Sequence, residues 1–314
     1  MVALVQSWRE VWSREAGTTS ALAPFGVVTL AAGGSEGHGQ NMAGLRWSQT
    51  GNYGVLPNAA MPATFVAQGY DLGDPMAGLR APCFNETSWD PATCRPWNAS
   101  AWNPALRPLN QLVWANAAPP FMGGIHPRLK SPVGRRLALA AARLFFGSAG
   151  APTGPTLAGC RLDAGSAQLT LQFNTTLLRG EVLTVQPFDT NVSAWAYPDS
   201  STAMVCYPPS PAQAAACLTT PGMWAPAPVR LGSAPGTAVL ALANVSAAAV
   251  RYAWPLTDHG DTCCPGRDVA MGHAACIPGS CPLLSSPSYL PANPFYAALR
   301  GNRCVCTLPQ TCDA

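Results

Sequence analysis

Pro24-Phe25-Gly26-Val27-Val28-Thr29-Leu30-Ala31 is a short apolar run bounded by turn formers. A run of this length and character reads as a strand buried on both faces. Met61-Pro62-Ala63-Thr64-Phe65-Val66-Ala67-Gln68-Gly69-Tyr70-Asp71 reads as a second buried strand and ends in Asp71-Leu72-Gly73-Asp74-Pro75. Ahead of the first strand, Leu4, Trp8, Val11 and Trp12 predict one apolar face of a helix over residues 3–15, packed on a sheet and ended by Gly17. The Gly-rich stretch 33–44 reads as a loop, and Arg46 to Thr50, Tyr53 and Pro57-Asn58 as an irregular polar-aromatic segment. A helix, strand, strand, helix series suits an open α/β sheet, in which ligands sit beyond the carboxyl ends of the strands.

The closing helix of that series is signalled by Gly123-Gly124-Ile125-His126-Pro127-Arg128-Leu129-Lys130 and by the residues after Lys130. Ser131 suits an N-cap and Pro132 the first helical position. Val133, Leu137, Ala141 and Leu144 mark one apolar face, and Gly147 supplies the stop. His126, one of only four histidines in the chain, is placed at the helix entrance, where it suits proton transfer. Asp71 and Asp74, at the end of an apolar strand, are candidates for the acid that orients it, although Asp before Gly or Pro is also ordinary turn chemistry. No Gly-x-Ser-x-Gly elbow occurs. Ser35, flanked by glycines, follows no strand-to-helix signal, and Ser48 is no better placed.

Charged residues make up 11% of the 314, against an ordinary value of about 25%. The net charge of +3 and the single lysine, Lys130, give no basic run of the kind a nucleic-acid groove requires. No stretch of 18 or more apolar residues is present to form a membrane-spanning helix. Twelve cysteines accompany five acceptor sequons, at Asn85, Asn98, Asn174, Asn191 and Asn244, and together they point to an oxidising, secretory compartment. The segment from Met1 to Glu10 has neither the basic start nor the long apolar core of a signal peptide. The expectation is therefore that the natural N-terminus lies upstream of this sequence. His259, His273 and the cysteines from 263 to 281 are dense enough to consider zinc, but no Cys-x-x-Cys occurs. No metal or other cofactor is expected.

Between Asp74 and His126 lie about fifty residues with eight prolines, four tryptophans (Trp89, Trp97, Trp102, Trp114), two sequons and the pair Cys83/Cys94. That is too long for an ordinary loop. The tryptophans suit either sugar stacking or a small core of the insertion's own. Beyond the helix, Gln168 to Phe173 alternates with period two, and Leu178–Phe188, Thr237–Leu242 and Ala248–Trp254 are β-like. Residues 155–255 read as antiparallel and sandwich-like, with a plausible Cys206–Cys217 bridge. Cys263, Cys264, Cys276, Cys281, Cys304, Cys306 and Cys312 read as a disulfide-tied tail. The expected units are thus an α/β domain over 1–150 with an insertion at 76–122, a β-sandwich-like domain over 151–260, and a Cys-rich tail over 261–314.

Gln6-Ser7-Trp8-Arg9-Glu10, Pro24 to Val28, Leu45-Arg46-Trp47-Ser48-Gln49-Thr50 with Pro57-Asn58, and Met61 to Phe65 resemble, in order, segments of the sialate O-acetylesterase family. Asp71-Leu72-Gly73-Asp74, Ile125 to Lys130, Val250-Arg251-Tyr252-Ala253-Trp254 and Leu290-Pro291-Ala292-Asn293-Pro294-Phe295 continue the resemblance. It implies an SGNH-type, flavodoxin-like α/β hydrolase domain accompanied by β domains, here its C-terminal portion. It also implies removal of O-acetyl groups from sialic acids or related sugars by a Ser-His-Asp mechanism. His126 carries over as the base, Asp71 or Asp74 as its partner, and Arg46, Trp47 and Gln49 as lining of the sugar site. Some relatives place an Asp two residues before this His, where the present chain has Gly124. The family's serine lies in a Gly-Gln-Ser-Asn-Met block upstream of the Trp-Arg-Glu helix, at which this chain begins. Gly39-Gln40-Asn41-Met42 resembles that block without its serine, but it lies after the helix. The expected function is a carbohydrate esterase lacking its nucleophile in this sequence. The alternative is a non-catalytic secreted glycan-binding or structural glycoprotein on the same scaffold.

Overall fold

The computed structural model describes residues 1–31, 40–72, 130–185, 202–210, 221–254 and 281–305, with isolated positions between them. Helix α1 (Val2–Glu10) runs into a π-helical turn, Val11–Glu15. Strand β1 (Phe25–Val28), helix α2 (Gln40–Gln49), strand β2 (Thr64–Ala67) and helix α3 (Ser131–Phe145) come next. β1 and β2 pair in parallel, Phe25 opposite Thr64 and Val28 opposite Ala67, so both apolar runs are strands as their composition predicts. α3 packs across both. Gly26 makes the close approach possible: a Cβ there would lie 2.7 Å from the Phe65 ring and 3.3 Å from Leu137.

Two local expectations are corrected. Leu4, Trp8, Val11 and Trp12 do not face a sheet; they are 48, 50, 44 and 52% exposed. The buried residue of α1 is Val5, packed with Val27, Leu56, Met61 and Val66. The strands touch only a narrow stripe of the helix, and the aromatic stripe lies beside it, Trp8 stacked on Trp12 and edge-on to Phe25. The stretch read as loop and irregular segment contains α2, whose Met42, Ala43 and Arg46 are buried. Gly44, Ser48 and a buried arginine break the apolar period by which a helix is recognised. In α3 the centre of the buried face is Arg136 and Ala140, with the expected Val133, Leu137, Ala141 and Leu144 half-buried around them.

The remainder is a closed antiparallel barrel instead of a sandwich. Its strands are β3 (Leu157–Asp163), β4 (Gln168–Phe173), β6 (Thr202–Cys206), β7 (Trp224–Leu231), β8 (Thr237–Ala241), β9 (Ala249–Tyr252), β11 (Phe295–Arg300) and β12 (Arg303–Val305). They run in the order β8-β4-β3-β12-β11-β9-β6-β7, and β7 returns to β8. A four-residue helix, α4 (Thr175–Leu178), leads to β5 (Val182–Val185), which pairs with β10 (Leu283–Ser286) outside the barrel. β11 and β12 come from the stretch expected to be tail. They close the ring, Arg303 pairing with Arg161, and Cys160–Cys304 clamps that seam. Alternation along a strand is the same in sandwiches and barrels, so the closing partner decides between them. The Cys206–Cys217 bridge is present.

The barrel core includes Leu169, Leu171, Val205, Leu240, Val250, Tyr252, Leu283 and Phe295, and it also takes in Tyr70 from beyond β2. The far end of α3 is tied to the barrel by Arg143. Its guanidinium donates to Ala151 O and Ser288 Oγ and pairs with Glu181 at 3.2 Å. Burial by itself raises the pKa of Glu181, but hydrogen bonds from Ser288 Oγ and Ala151 N and the charge of Arg143 outweigh it and hold it below the usual carboxylate range.

Two measurements test this construction. Removing the Cys160–Cys304 bridge, which spans 144 residues, is expected to cost about 5 kcal/mol on the loop-entropy relation, read as a lower denaturant midpoint for Cys304→Ser. Because the carboxyl of Glu181 is more acidic folded than unfolded, its contribution is complete above the unfolded value of about 4.3 and is lost as pH falls through the folded value. Glu181→Gln is therefore expected to lower stability at pH 7 by about 3 kcal/mol and to flatten the loss of stability below about pH 4.3, both read from denaturant unfolding across pH.

Candidate active site at the carboxyl ends of the parallel strands

Asp71 lies four residues beyond β2 and is wholly buried. A carboxylate in such a place needs a partner charge. Arg136 of α3 supplies a fork across it: Nη1 donates to Oδ1 and Nη2 to Oδ2, each at 2.6 Å. Nη1 also donates to Gln68 O. Burial opposes the charge on Arg136, and the Asp71 carboxylate reverses the effect, so the guanidinium pKa is raised. The pair joins the carboxyl end of the sheet to the first turns of the helix that begins after Lys130. The Tyr70 hydroxyl, next in sequence to Asp71, donates to Ala292 O at 2.6 Å inside the barrel. Burial, with Tyr252 and Asp71 nearby, pushes its pKa well above the ordinary tyrosine value, so it stays a donor.

A buried polar network continues from there. Thr29 Oγ1 donates to Gln68 Oε1, and Gln68 Nε2 donates to Gly54 O and to Asn293 Oδ1. Asn293 Nδ2 in turn lies within hydrogen-bond reach of Gly154 O and of the hydroxyls of Thr153 and Thr156. The α/β unit and the barrel are thus joined through hydrogen bonds as well as apolar packing. Sequence reasoning did not single out Gln68, Arg136 or Asn293. For Asn293 a signal existed, since Leu290 to Phe295 is one of the stretches carrying the family resemblance.

Of the residues expected to line a sugar site, Arg46 is 1% exposed; its Nε donates to Leu30 O and Nη2 to Ala31 O, and it lies over the Tyr70 ring. Gln49 accepts from Leu30 N and donates to Val28 O. Both side chains hold the backbone as it leaves β1, in the way a neighbouring strand would. Trp47 faces the barrel, its ring 5.3 Å from that of Trp254. Ser48 is exposed and donates to Gly44 O. His126, Asp74 and Ser35 lie outside the described residues, as do Asn98 and Asn191 and the histidines and most of the cysteines weighed for zinc. Among the described residues no group of three His, Cys, Asp or Glu is placed to hold a metal. Of the sequon residues, Asn85 lies in a two-residue strand, Asn174 caps α4 by accepting from Leu177 N, and Asn244 is exposed in a turn.

Comparison with known proteins bears on this arrangement. Sialate O-acetylesterases of Homo sapiens and Pongo abelii are each 39% identical to the chain over 74 residues. That of Rattus norvegicus is 38% identical over 76 residues. Over that stretch the chain is similar to sialate O-acetylesterases. The match takes in 23% of this chain and 14% of the length of each of the three curated enzymes. No family model matches. A carbohydrate acetylesterase from Xanthomonas citri aligns over 94% of this chain and 44% of its own, with a TM-score of 0.49 and 21% identity. No helix among the described residues is long and apolar enough to cross a membrane.

Arg136→Met would leave the Asp71 carboxylate buried without its fork, and a loss of about 3–5 kcal/mol is expected in denaturant unfolding. The double variant Asp71→Asn, Arg136→Met removes the orphaned charge and is expected to recover part of that loss.

Proposed function

We propose that this chain forms part of a carbohydrate O-acetylesterase acting on O-acetylated sialic acids or closely related sugars. The observation that carries the reading is the 39% identity to sialate O-acetylesterases, set beside a parallel strand pair with a buried, arginine-held aspartate past its carboxyl end. In this reading His126, which precedes α3 by five residues, takes the proton of the attacking hydroxyl. An aspartate orients the imidazole, Asp71 or Asp74. Arg136 acts through Asp71 as a positioning residue. Trp47, in contact with Trp254, is the member of the expected sugar-lining set that remains for substrate, since Arg46 and Gln49 hold backbone. No serine of the chain stands in a nucleophile elbow, so the nucleophile is assigned to a separate segment of the active assembly. The Cys160–Cys304 and Cys206–Cys217 bridges and the five sequons support a secretory location.

A glycan-binding or structural glycoprotein without chemistry is the second reading, favoured by the lack of a Gly-x-Ser-x-Gly elbow in the sequence. Acetate release from an O-acetylated sialic acid separates the two. The chain alone is expected to release acetate near the background rate, because loss of a nucleophile costs about 10⁶ in kcat in a serine hydrolase. Addition in trans of a nucleophile-bearing fragment of the human relative is expected to restore turnover, and His126→Ala to abolish it. Turnover by the chain alone that survives His126→Ala would overturn the assignment. Folded partners that bind the sugar but never release acetate would establish the second reading.

A further inference from the structure

Among the described residues, a cavity of about 340 Å³ lies where the α/β unit meets the barrel. Its wall includes Tyr53 and Pro57 from the segment before β2, Leu144 near the end of α3, Thr153 before β3, and Asn174 and Leu177 at α4. Neither Asp71 nor Arg136 lines it, so it is separate from the candidate active site. Ligand cavities run from about 300 to 1,000 Å³, and this one is at the small end. It has room for one sugar ring and not for a branched chain.

Asn174 is set apart from the rest of the wall because it opens the sequon Asn174-Thr175-Thr176. Its Oδ1 accepts from Leu177 N at 3.0 Å and so caps α4. Its Nδ2 makes no hydrogen bond among the described residues. That division suits N-glycosylation, because a sugar joined to Nδ2 leaves the carbonyl oxygen in place to keep the cap. Asn174 is half-buried and Thr176 exposed, so the first sugar is held beside the cavity wall. By contrast, Asn244 is exposed in a turn. A tether makes the sugar's contact with the wall intramolecular, at an effective concentration of order mM. Even a weak contact with Tyr53, Pro57 and Leu177 is then populated.

We propose that Asn174 is N-glycosylated and that the first N-acetylglucosamine of its glycan sits in this cavity, bridging the α/β unit and the barrel. The proposal rests on the secretory location proposed above. The donor is a lipid-linked oligosaccharyl pyrophosphate. Transfer forms a bond between Asn174 Nδ2 and the anomeric carbon of the sugar. It breaks that carbon's bond to the pyrophosphate oxygen, the lipid pyrophosphate leaves, and the amide gives up a proton.

The test directs the whole chain into the secretory pathway of cultured animal cells with a signal peptide fused ahead of Met1. Mass spectrometry of the Asn174 peptide is expected to show a glycan. Thr176→Ala removes the sequon and leaves the capping residue untouched, whereas Thr176→Ser keeps both. The alanine variant is expected to lose this glycan and to unfold about 2–4 °C lower, and the serine variant to match the unaltered chain. Trimming the glycans to their first sugar is expected to leave the unfolding temperature unchanged. Should Thr176→Ala not be secreted, the unaltered chain decides: an amidase that cleaves at the asparagine should release the Asn174 glycan slowly from the folded chain and rapidly after denaturation. Equal release from both, or a glycan whose loss does not move the unfolding temperature, would overturn the bridging role. An unmodified Asn174 beside glycans at other sequons would overturn the proposal and leave the secretory reading standing. A directed chain retained in the cell without any glycan would overturn both.

Discussion

The carboxylate of Asp71 is wholly buried, and such a group can remain ionised there only if a charge lies across it. The fork from Arg136 meets that requirement, and much of the molecule is arranged around it. The fork fixes α3 against the end of β2, and the same guanidinium holds the Gln68 carbonyl. One residue away, Tyr70 enters the barrel core and bonds to Ala292. Three neighbouring residues of one short segment thereby join a helix, the sheet and the barrel. Arg136 comes from α3, which is why the helix turns a charged residue inward at the centre of its buried face.

The union of sheet and barrel is polar as well as apolar. Gln68, Asn293, Thr29 and Thr153 form a chain of buried hydrogen bonds, and a chain of this kind tolerates only one relative placement of its members. Apolar packing would accept small slips; paired donors and acceptors do not. The candidate active site lies along this joint, and so does the aromatic cluster running from Trp47 through Trp254, Tyr296 and Trp224 to Arg251. The barrel is therefore tied to the sheet's carboxyl end by hydrogen bonds instead of being an appended module.

Two of the residues expected from the sequence to line a sugar site have other tasks in the fold. Arg46 and Gln49 have side chains suited to sugar recognition, and nothing in their sequence neighbourhood shows that backbone carbonyls will claim them. β1 is a strand with a single neighbour among the described residues, and its departing backbone needs partners. Gln49 and Arg46 are the groups within reach. A one-dimensional reading assigns a polar residue by type, whereas its task is set by whichever unpaired group the fold brings close.

Much of the architecture was legible locally. The two strands come from uninterrupted apolar runs, α3 from its period and its closing Gly147, the strands at Gln168–Phe173 and Ala249–Tyr252 from alternation, and the short Cys206–Cys217 loop from spacing. Each depends on neighbours in the chain, and so sequence determines it. What only the tertiary structure decided depends on contacts between distant residues. β12 and the Cys160–Cys304 bridge, separated by 144 residues, turn a presumed sandwich and tail into a closed barrel. Arg136 is paired with Asp71 across 65 positions, and Arg251 is placed on Trp224 with no counter-charge among the described residues. Periodicity tells which face of an element is buried; it carries no information on which distant partner buries it, and that choice sets the charge balance from which the site is built.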